Sequence, residues 1–218
     1  MRPRQPLHVL AALVALAIGL VCLADGGWIY AKALIAQELI GAAWQRSRAG
    51  DQDAKPWGWA DTHPMAKLTI GRSAHELIVL EGSSGRNLAF GPVHDAASVL
   101  PGQPGNSVIE GHRDTHFRVL QELTLGDPIA VELADGTRVS FVVVDLQIAD
   151  SRQARIVIGG ERPRLTLVTC YPFDAIRAGG PLRYVVTADL RTTPVSLPRV
   201  KSSRFHPISA DFHIAPAT

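Results

Sequence analysis

Arg164-Leu165-Thr166-Leu167-Val168-Thr169-Cys170-Tyr171-Pro172 is the stretch on which the reading of this chain turns. Its aliphatic and β-branched residues predict a buried strand, and Pro172 cannot continue a ladder, so the strand ends close to Cys170. Side chains alternate along a strand, so Thr166, Val168 and Cys170 share one face while Leu167 and Thr169 share the other, and one of those faces is the core. Two further runs read as strands. Asn106-Ser107-Val108-Ile109-Glu110-Gly111 stops at His112, and Pro181-Leu182-Arg183-Tyr184-Val185-Val186 carries Arg183. A thiol, an imidazole and a guanidinium can therefore meet at one sheet edge.

The 218 residues suggest one domain with appendages, and the apolar fraction of 46% is enough for a core of ordinary size. A net charge of +2, without a long basic or acidic block, argues against a nucleic-acid partner bound through phosphate contacts. The two cysteines, Cys22 and Cys170, lie in different kinds of sequence, so no bridge between them is expected. Cys170 then has two readings. Free cysteines are commonly small buried hydrophobes. In an exported chain, however, a spare thiol is a liability unless it has a use.

Export is what the N-terminus suggests. Arg2 and Arg4 precede an uncharged run from Val9 to Ala24, with positive charge left on the inner side. A signal cleaved at the small-x-small site Ala31-Lys32-Ala33 is one outcome. An uncleaved anchor is favoured, because Trp28 and Tyr30 follow as interfacial aromatics and helical spacing continues through Leu34, Ile35, Leu39, Ile40 and Ala43. The surroundings of Cys22 do not fit a lipoprotein cysteine. Residues 1–48 are thus expected to be a cytoplasmic stub, signal anchor and helical extension, and 49–64 a linker. Within the linker, Pro56-Trp57-Gly58-Trp59 is read as packing the connector onto the domain, with a ligand platform as the sharper alternative.

From Met65 the pattern becomes short strands between turn residues: 66–70, 75–80, 87–90, 106–110, 128–133, 137–148, 165–169 and 182–188. Asp135-Gly136 is a hairpin signal. One helical turn is expected around 96–100 and a short helix over 117–123. This is a mainly β chain, and hairpin spacing without βαβ alternation predicts a closed or nearly closed barrel over 65–190. Four scattered prolines after Leu190 predict a flexible tail over 191–218.

A nucleophilic thiol needs access and a base or a positive field. The strand end supplies the access. His112 is the candidate base because its strand ends on it, with His116 as rival. Arg183 is either a solvent-facing strand residue or a fixed cation for a developing oxyanion. No His/Cys pair has zinc spacing, and the H-E-x-x-H and G-x-S-x-G motifs are absent, so no metal or cofactor is expected.

Together these segments resemble the sortases. Thr166-Leu167-Val168-Thr169-Cys170 is similar to their T-L-x-T-C motif, Gly111-His112-Arg113 to their G-H-R segment, and Arg183 to the arginine of their final strand, in the family's order. The resemblance covers roughly 65–190. It is closest to the short sortases of Gram-negative bacteria, judging by Pro56-Trp57-Gly58-Trp59 and Tyr171-Pro172-Phe173. It implies a closed eight-stranded barrel behind a transmembrane helix, in the inner membrane with the barrel on the periplasmic side. The implied activity is that of a cysteine transpeptidase, cutting an LPXTG-like sorting signal through a thioacyl intermediate. Its partners would be proteins bearing that signal, an amine acceptor, and membrane lipid around the helix. Cys170 would be nucleophile, His112 acid and base, and Arg183 the holder of substrate backbone or oxyanion, with Thr169 assisting through its hydroxyl. The alternatives are a non-enzymatic anchored peptide binder and a cysteine peptidase that only hydrolyses.

Overall fold

The computed structural model describes residues 5–82, 85–177 and 179–191. Arg2, Arg4 and all of the expected tail except Arg191 lie outside the described residues. A single helix, α1 (Gln5–Arg48), precedes eight strands: β1 (Pro64–Ile70), β2 (His75–Glu81), β3 (Val93–His94), β4 (Gly105–Glu110), β5 (Pro128–Leu133), β6 (Arg138–Asp150), β7 (Pro163–Cys170) and β8 (Leu182–Leu190). They close into a barrel in the order β1-β2-β3-β4-β7-β8-β6-β5. Closure leaves no open sheet edge to cap.

Alternation builds the core. On β1, Ala66, Leu68 and Ile70 are fully buried, with Met65, Lys67 and Thr69 between them less so. They meet Ile109, Ile129, Val131, Phe141, Leu165, Leu167 and Val186 inside the barrel. The β5–β6 hairpin turns at Asp135-Gly136 as its sequence predicts: Gly136 has φ +92°, and Thr137 N donates to Asp135 Oδ1 at 2.8 Å.

Two local expectations change and a third is refined. Residues 87–90 form a 3-10 turn (Asn87–Ala89), not a strand, because Phe90 N and Gly91 N both donate back to Asn87 O. The strand of that region is the two-residue β3, held short by Pro92, whose carbonyl accepts from Leu80 N. The region around 96–100 is a turn rather than a helix; Asp95 captures Ala97 N and Ser98 N instead. The helix expected over 117–123 is a 3-10 segment, Arg118–Glu122.

Hairpin spacing predicts antiparallel neighbours, yet β2–β3 and β4–β7 are parallel. The second of these pairs brings together segments more than fifty residues apart, with β5 and β6 formed in between.

α1 is 44 residues long, about 66 Å at 1.5 Å per residue. From Val9 to Ala24 it is exposed on every side, and it is long and apolar enough to cross a membrane. Farther on, Ala36, Ile40, Ala43 and Trp44 recur at helical spacing and are buried on the barrel. Ile40 packs with Leu80 and Val93, flanked by Trp57 and Phe90. Gln37 Nε2 donates to Phe90 O at 2.7 Å, and Arg48 pairs with Glu132 at 3.1 Å. After α1 the chain turns back with Ala54, Pro56 and Ala60 buried. Trp57 packs edge-on against Phe90, centroids 5.0 Å apart, whereas Trp59 is 87% exposed. Of the two tryptophans, only Trp57 packs the connector onto the domain.

Candidate active site

β4 and β7 run parallel with Glu110 opposite Val168. Two residues farther along each strand stand His112 and Cys170, so the imidazole and the thiol leave the same end of neighbouring strands. β8 lies antiparallel on the other side of β7, with Arg183 paired to Cys170. Adjacent strands lie about 4.8 Å apart, so three backbone positions from distant sequence share one barrel end.

Burial alone does not separate the two faces of β7, since Thr166 and Thr169 are both 2% exposed, but membership of the barrel core does. Leu165 and Leu167 belong to the core, and Thr169 is 2% exposed on their side. Thr166, Val168 and Cys170 therefore take the outer face, and Cys170 is partly accessible. The hydroxyl of Thr169 faces inward and donates to Gly111 O at 2.7 Å. The hydroxyl expected to assist the reaction thus donates to the backbone of the histidine turn. Its oxygen is committed to tying the thiol strand to the turn that carries His112. Gly111 N donates to Val168 O at 3.1 Å, so the tie is double.

The turn after Gly111 is built over Phe117, which is fully buried. A Cβ on Gly111 would lie 2.7 Å from that ring, so close approach requires the glycine. Phe117 N donates to His112 O at 3.0 Å and closes the turn, leaving His112 exposed. Arg113, by contrast, has a side chain only 5% exposed. Its Nη2 donates to Ala175 O at 2.8 Å and to Arg177 O at 3.1 Å, and its Nε to Asp114 Oδ1 at 3.2 Å. It fastens the histidine turn to the loop that follows the cysteine.

Arg183 donates through Nη1 to Gly180 O at 2.7 Å and Leu182 O at 3.0 Å. It also lines a groove of about 460 Å³ on the outer face of β4, β7, β8 and β6. Glu110, Thr166, Val168 and Val185 contribute to its floor, and residues 154–157 to its wall. Asn106 holds wall to floor: its Nδ2 donates to Val157 O at 3.0 Å and its N to Ile158 O at 2.9 Å, while Thr166 Oγ1 donates to its Oδ1. A trough of this shape beside a thiol can seat an extended peptide.

The surroundings of two ionisable groups bear on the site. Burial pushes the Glu110 carboxyl above its ordinary range and Asp95 pushes it further, with Arg183 opposing. Burial lowers the His116 imidazole, and the neighbouring His112 and His75 lower it more. His116 is half-buried with its Nδ1 paired to Thr115 Oγ1 at 3.2 Å, whereas His112 stands exposed at the strand end. Among the described residues no cluster of three or more His, Cys, Asp or Glu could hold a metal ion.

The structure thus brings Cys170, His112 and Arg183 to one end of three adjacent strands. Glu110 and Asn106 had no role in the expectations from sequence, where Arg113 figured in the Gly111-His112-Arg113 segment and as the next candidate cation after Arg183. A partial signal was present for the first two: polar residues alternating through an apolar strand mark a face that is not core.

Comparison with known proteins agrees. Residues 68–191 match the family model described as the sortase domain. Sortase D of Bacillus subtilis (strain 168) is 34% identical over 120 residues, 55% of this chain and 60% of that protein, so the chain spans about 60% of that curated relative's length. Among solved structures, a Clostridium perfringens Sortase D5 transpeptidase superposes with TM-score 0.51 at 24% identity, over 60% of this chain and 80% of that one. Sortase A from Corynebacterium diphtheriae superposes with TM-score 0.55 at 21% identity, over 75% and 87%. At such identities the two structures speak for the fold.

Proposed function

The chain belongs to the sortase family, and from that premise we propose that it is a membrane-anchored cysteine transpeptidase acting on proteins with an LPXTG-like sorting signal. The carrying observation is the parallel register of β4 and β7, which ends both strands on the same side with Cys170 and His112, and Arg183 beside them on β8.

In the proposed reaction the signal lies in the groove along the outer face of β7. The Cys170 thiolate attacks the carbonyl carbon after the threonine, and a C–S bond forms. Arg183, whose planar fork can direct two hydrogen bonds, stabilises the oxyanion. The scissile C–N bond breaks as imidazolium His112 gives its proton to the leaving amine. A thioester on Cys170 remains. The acceptor amine then loses a proton to His112 and attacks the thioester. The C–S bond breaks, and thiolate and imidazolium are restored. The attack requires thiolate and imidazolium together at the outset. Thr169 and Arg113 act behind these groups by fixing the histidine turn to the cysteine strand.

The anchor in this proposal is α1, with the barrel outside the inner membrane and Arg2 and Arg4 inside. Support comes from its exposed apolar length.

The test is product analysis by mass spectrometry. A peptide bearing the signal is incubated with the full chain in detergent, with and without a glycine-type or diamino-acid-type amine. Ligated product is expected with amine, and slow hydrolysis without. Cleavage that no amine diverts would make the protein a peptidase, and no cleavage at all would leave a binding module.

A further inference from the structure

A second concavity lies where α1 meets the connector, apart from the groove that Cys170 adjoins. Lys32, Ile35 and Leu39 on α1, Trp57 and Trp59 on the connector, and Arg86 and Phe90 from the β2–β3 crossover enclose about 530 Å³. Trp57 is partly buried there, while Trp59 is 87% exposed beside it. Beside Trp57 and Phe90 its exposure extends an apolar patch, and such a patch marks a surface that something covers.

Three observations select the occupant. The first is continuity. α1 runs without a break from its exposed apolar run into this groove. From Val9 to Trp28 the helix rises about 30 Å, the thickness of a bilayer's hydrocarbon core, and the one acid in that length, Asp25, falls in its last turn toward the interface. Lys32 follows one turn later, about 6 Å on, at the depth of lipid phosphates. The second is charge. Lys32 and Arg86 flank an apolar trough with a single acid, Asp61, on its rim. Two cations over an apolar floor match a phosphate joined to acyl chains. The third is surface character. Trp28, Leu34 and Ile35 are each more than half exposed on the same part of α1, and the Lys32 ammonium sits 4.9 Å from the Trp28 ring centre. Tryptophan beside lysine at a span's end is the chemistry of the membrane–water interface.

We infer that this groove takes the phosphate and upper acyl region of a phospholipid, so that the barrel rests on the bilayer instead of standing clear of it. The inference rests on α1 being a membrane anchor. Trp59 and Arg86 then form a second, peripheral foot of the domain. With two points of support, the orientation of the Cys170 groove relative to the membrane is set.

The experiment uses the full chain with Cys22→Ser and Cys170→Ala, in vesicles of phosphatidylglycerol and phosphatidylcholine. A nitroxide is placed at Gly58→Cys, the exposed neighbour of Trp59 where an added side chain meets nothing, or, as control, at Val144→Cys, an exposed position on β6 three strands round the barrel from β2. Flotation with the vesicles reads the anchor, and collision of the nitroxide with oxygen against an aqueous nickel chelate reads the groove. The expected result is flotation of both proteins, with an oxygen-to-nickel collision ratio several-fold higher at 58 than at 144. Adding Arg86→Glu should return the ratio at 58 towards that at 144 while flotation persists. A phosphatidylcholine-only arm should keep the effect, because that lipid carries the same phosphate, and its loss there overturns the phosphate as the ligand. Flotation with a water-like label at 58 overturns the groove while sparing the anchor. A label shielded from both reagents overturns it in favour of a protein covering, such as a second copy. Failure to float overturns the anchor, and the inference with it.

Discussion

The two ends of this molecule are held by different forces. At the catalytic end, the parts that must not move are joined through backbone: Thr169 to the Gly111 carbonyl, Arg113 to the carbonyls of Ala175 and Arg177, Asn106 to Val157. At the anchoring end, α1 and the connector are joined to the barrel chiefly by apolar contact, through Ile40 against Leu80 and Val93 and through Trp57 against Phe90. Hydrogen bonds have direction, and a reaction needs its groups fixed in angle as well as distance. Apolar burial has none, and it is sufficient where only attachment is required. Substitutions at the first end should therefore cost rate more than stability, and those at the second stability more than rate.

The largest expected effect is at the imidazole. His112→Ala should lower kcat/KM by about 10²–10⁴, the usual worth of a general acid–base group. His116→Ala, at a site whose burial favours the neutral ring, should cost far less. Equal losses, or a greater one at His116, would reverse the assignment and remove the reason for placing the reaction at the end of β4.

Next comes the guanidinium. Arg183→Lys keeps the charge and loses the fork, and should reduce kcat/KM by about 10²–10³, with Arg183→Ala no better. Thermal midpoints should stay within a few degrees of the parent. A lysine variant with near-parental turnover would return Arg183 to an ordinary strand arginine bonded to its own loop.

A smaller loss is expected where the bracing is indirect. Arg113→Lys cannot span both carbonyls of the following loop, and kcat should fall on the order of tenfold, the rate equivalent of one charge-assisted hydrogen bond. KM should hardly move, because the groove is built elsewhere. A fall in thermal midpoint with kcat intact would make Arg113 a stabilising residue only, and would weaken the contrast between the two ends.

The smallest effect on rate is expected at the helix. Ile40→Ala should cost about 2–5 kcal/mol of stability, as buried isoleucines do, with kcat/KM of the folded protein unchanged. Denaturant unfolding beside initial rates on a soluble peptide would check this. A rate loss as large as at Arg183 would mean that the two ends are coupled.

Much of this division could be read from the chain. Alternation in 164–170, the Asp135-Gly136 turn and the stop at Gly111-His112 are local patterns, and each corresponds to an element in the barrel. The two-residue β3 was not legible, since Val93-His94 is too short to show a period and owes its place to β2 and β4 on either side. The parallel partnership of β4 and β7 was hidden for a similar reason: pairing across fifty residues leaves no mark on either segment. Of the site, residue types at strand ends were visible. The inward turn of Thr169 and the burial of Arg113 were not, because both depend on which face the closed barrel makes its inside.

The central claim is that Cys170 carries the substrate covalently. Intact-protein mass spectrometry of the full chain, quenched in acid soon after mixing with a sorting peptide and no acceptor, measures that directly. The account predicts one added acyl mass, mapped by digestion to the peptide containing Cys170, discharged when an amine is supplied, and missing from a folded Cys170→Ala protein. Turnover by that alanine variant at the parental rate, or an adduct mapped to another residue, would contradict it.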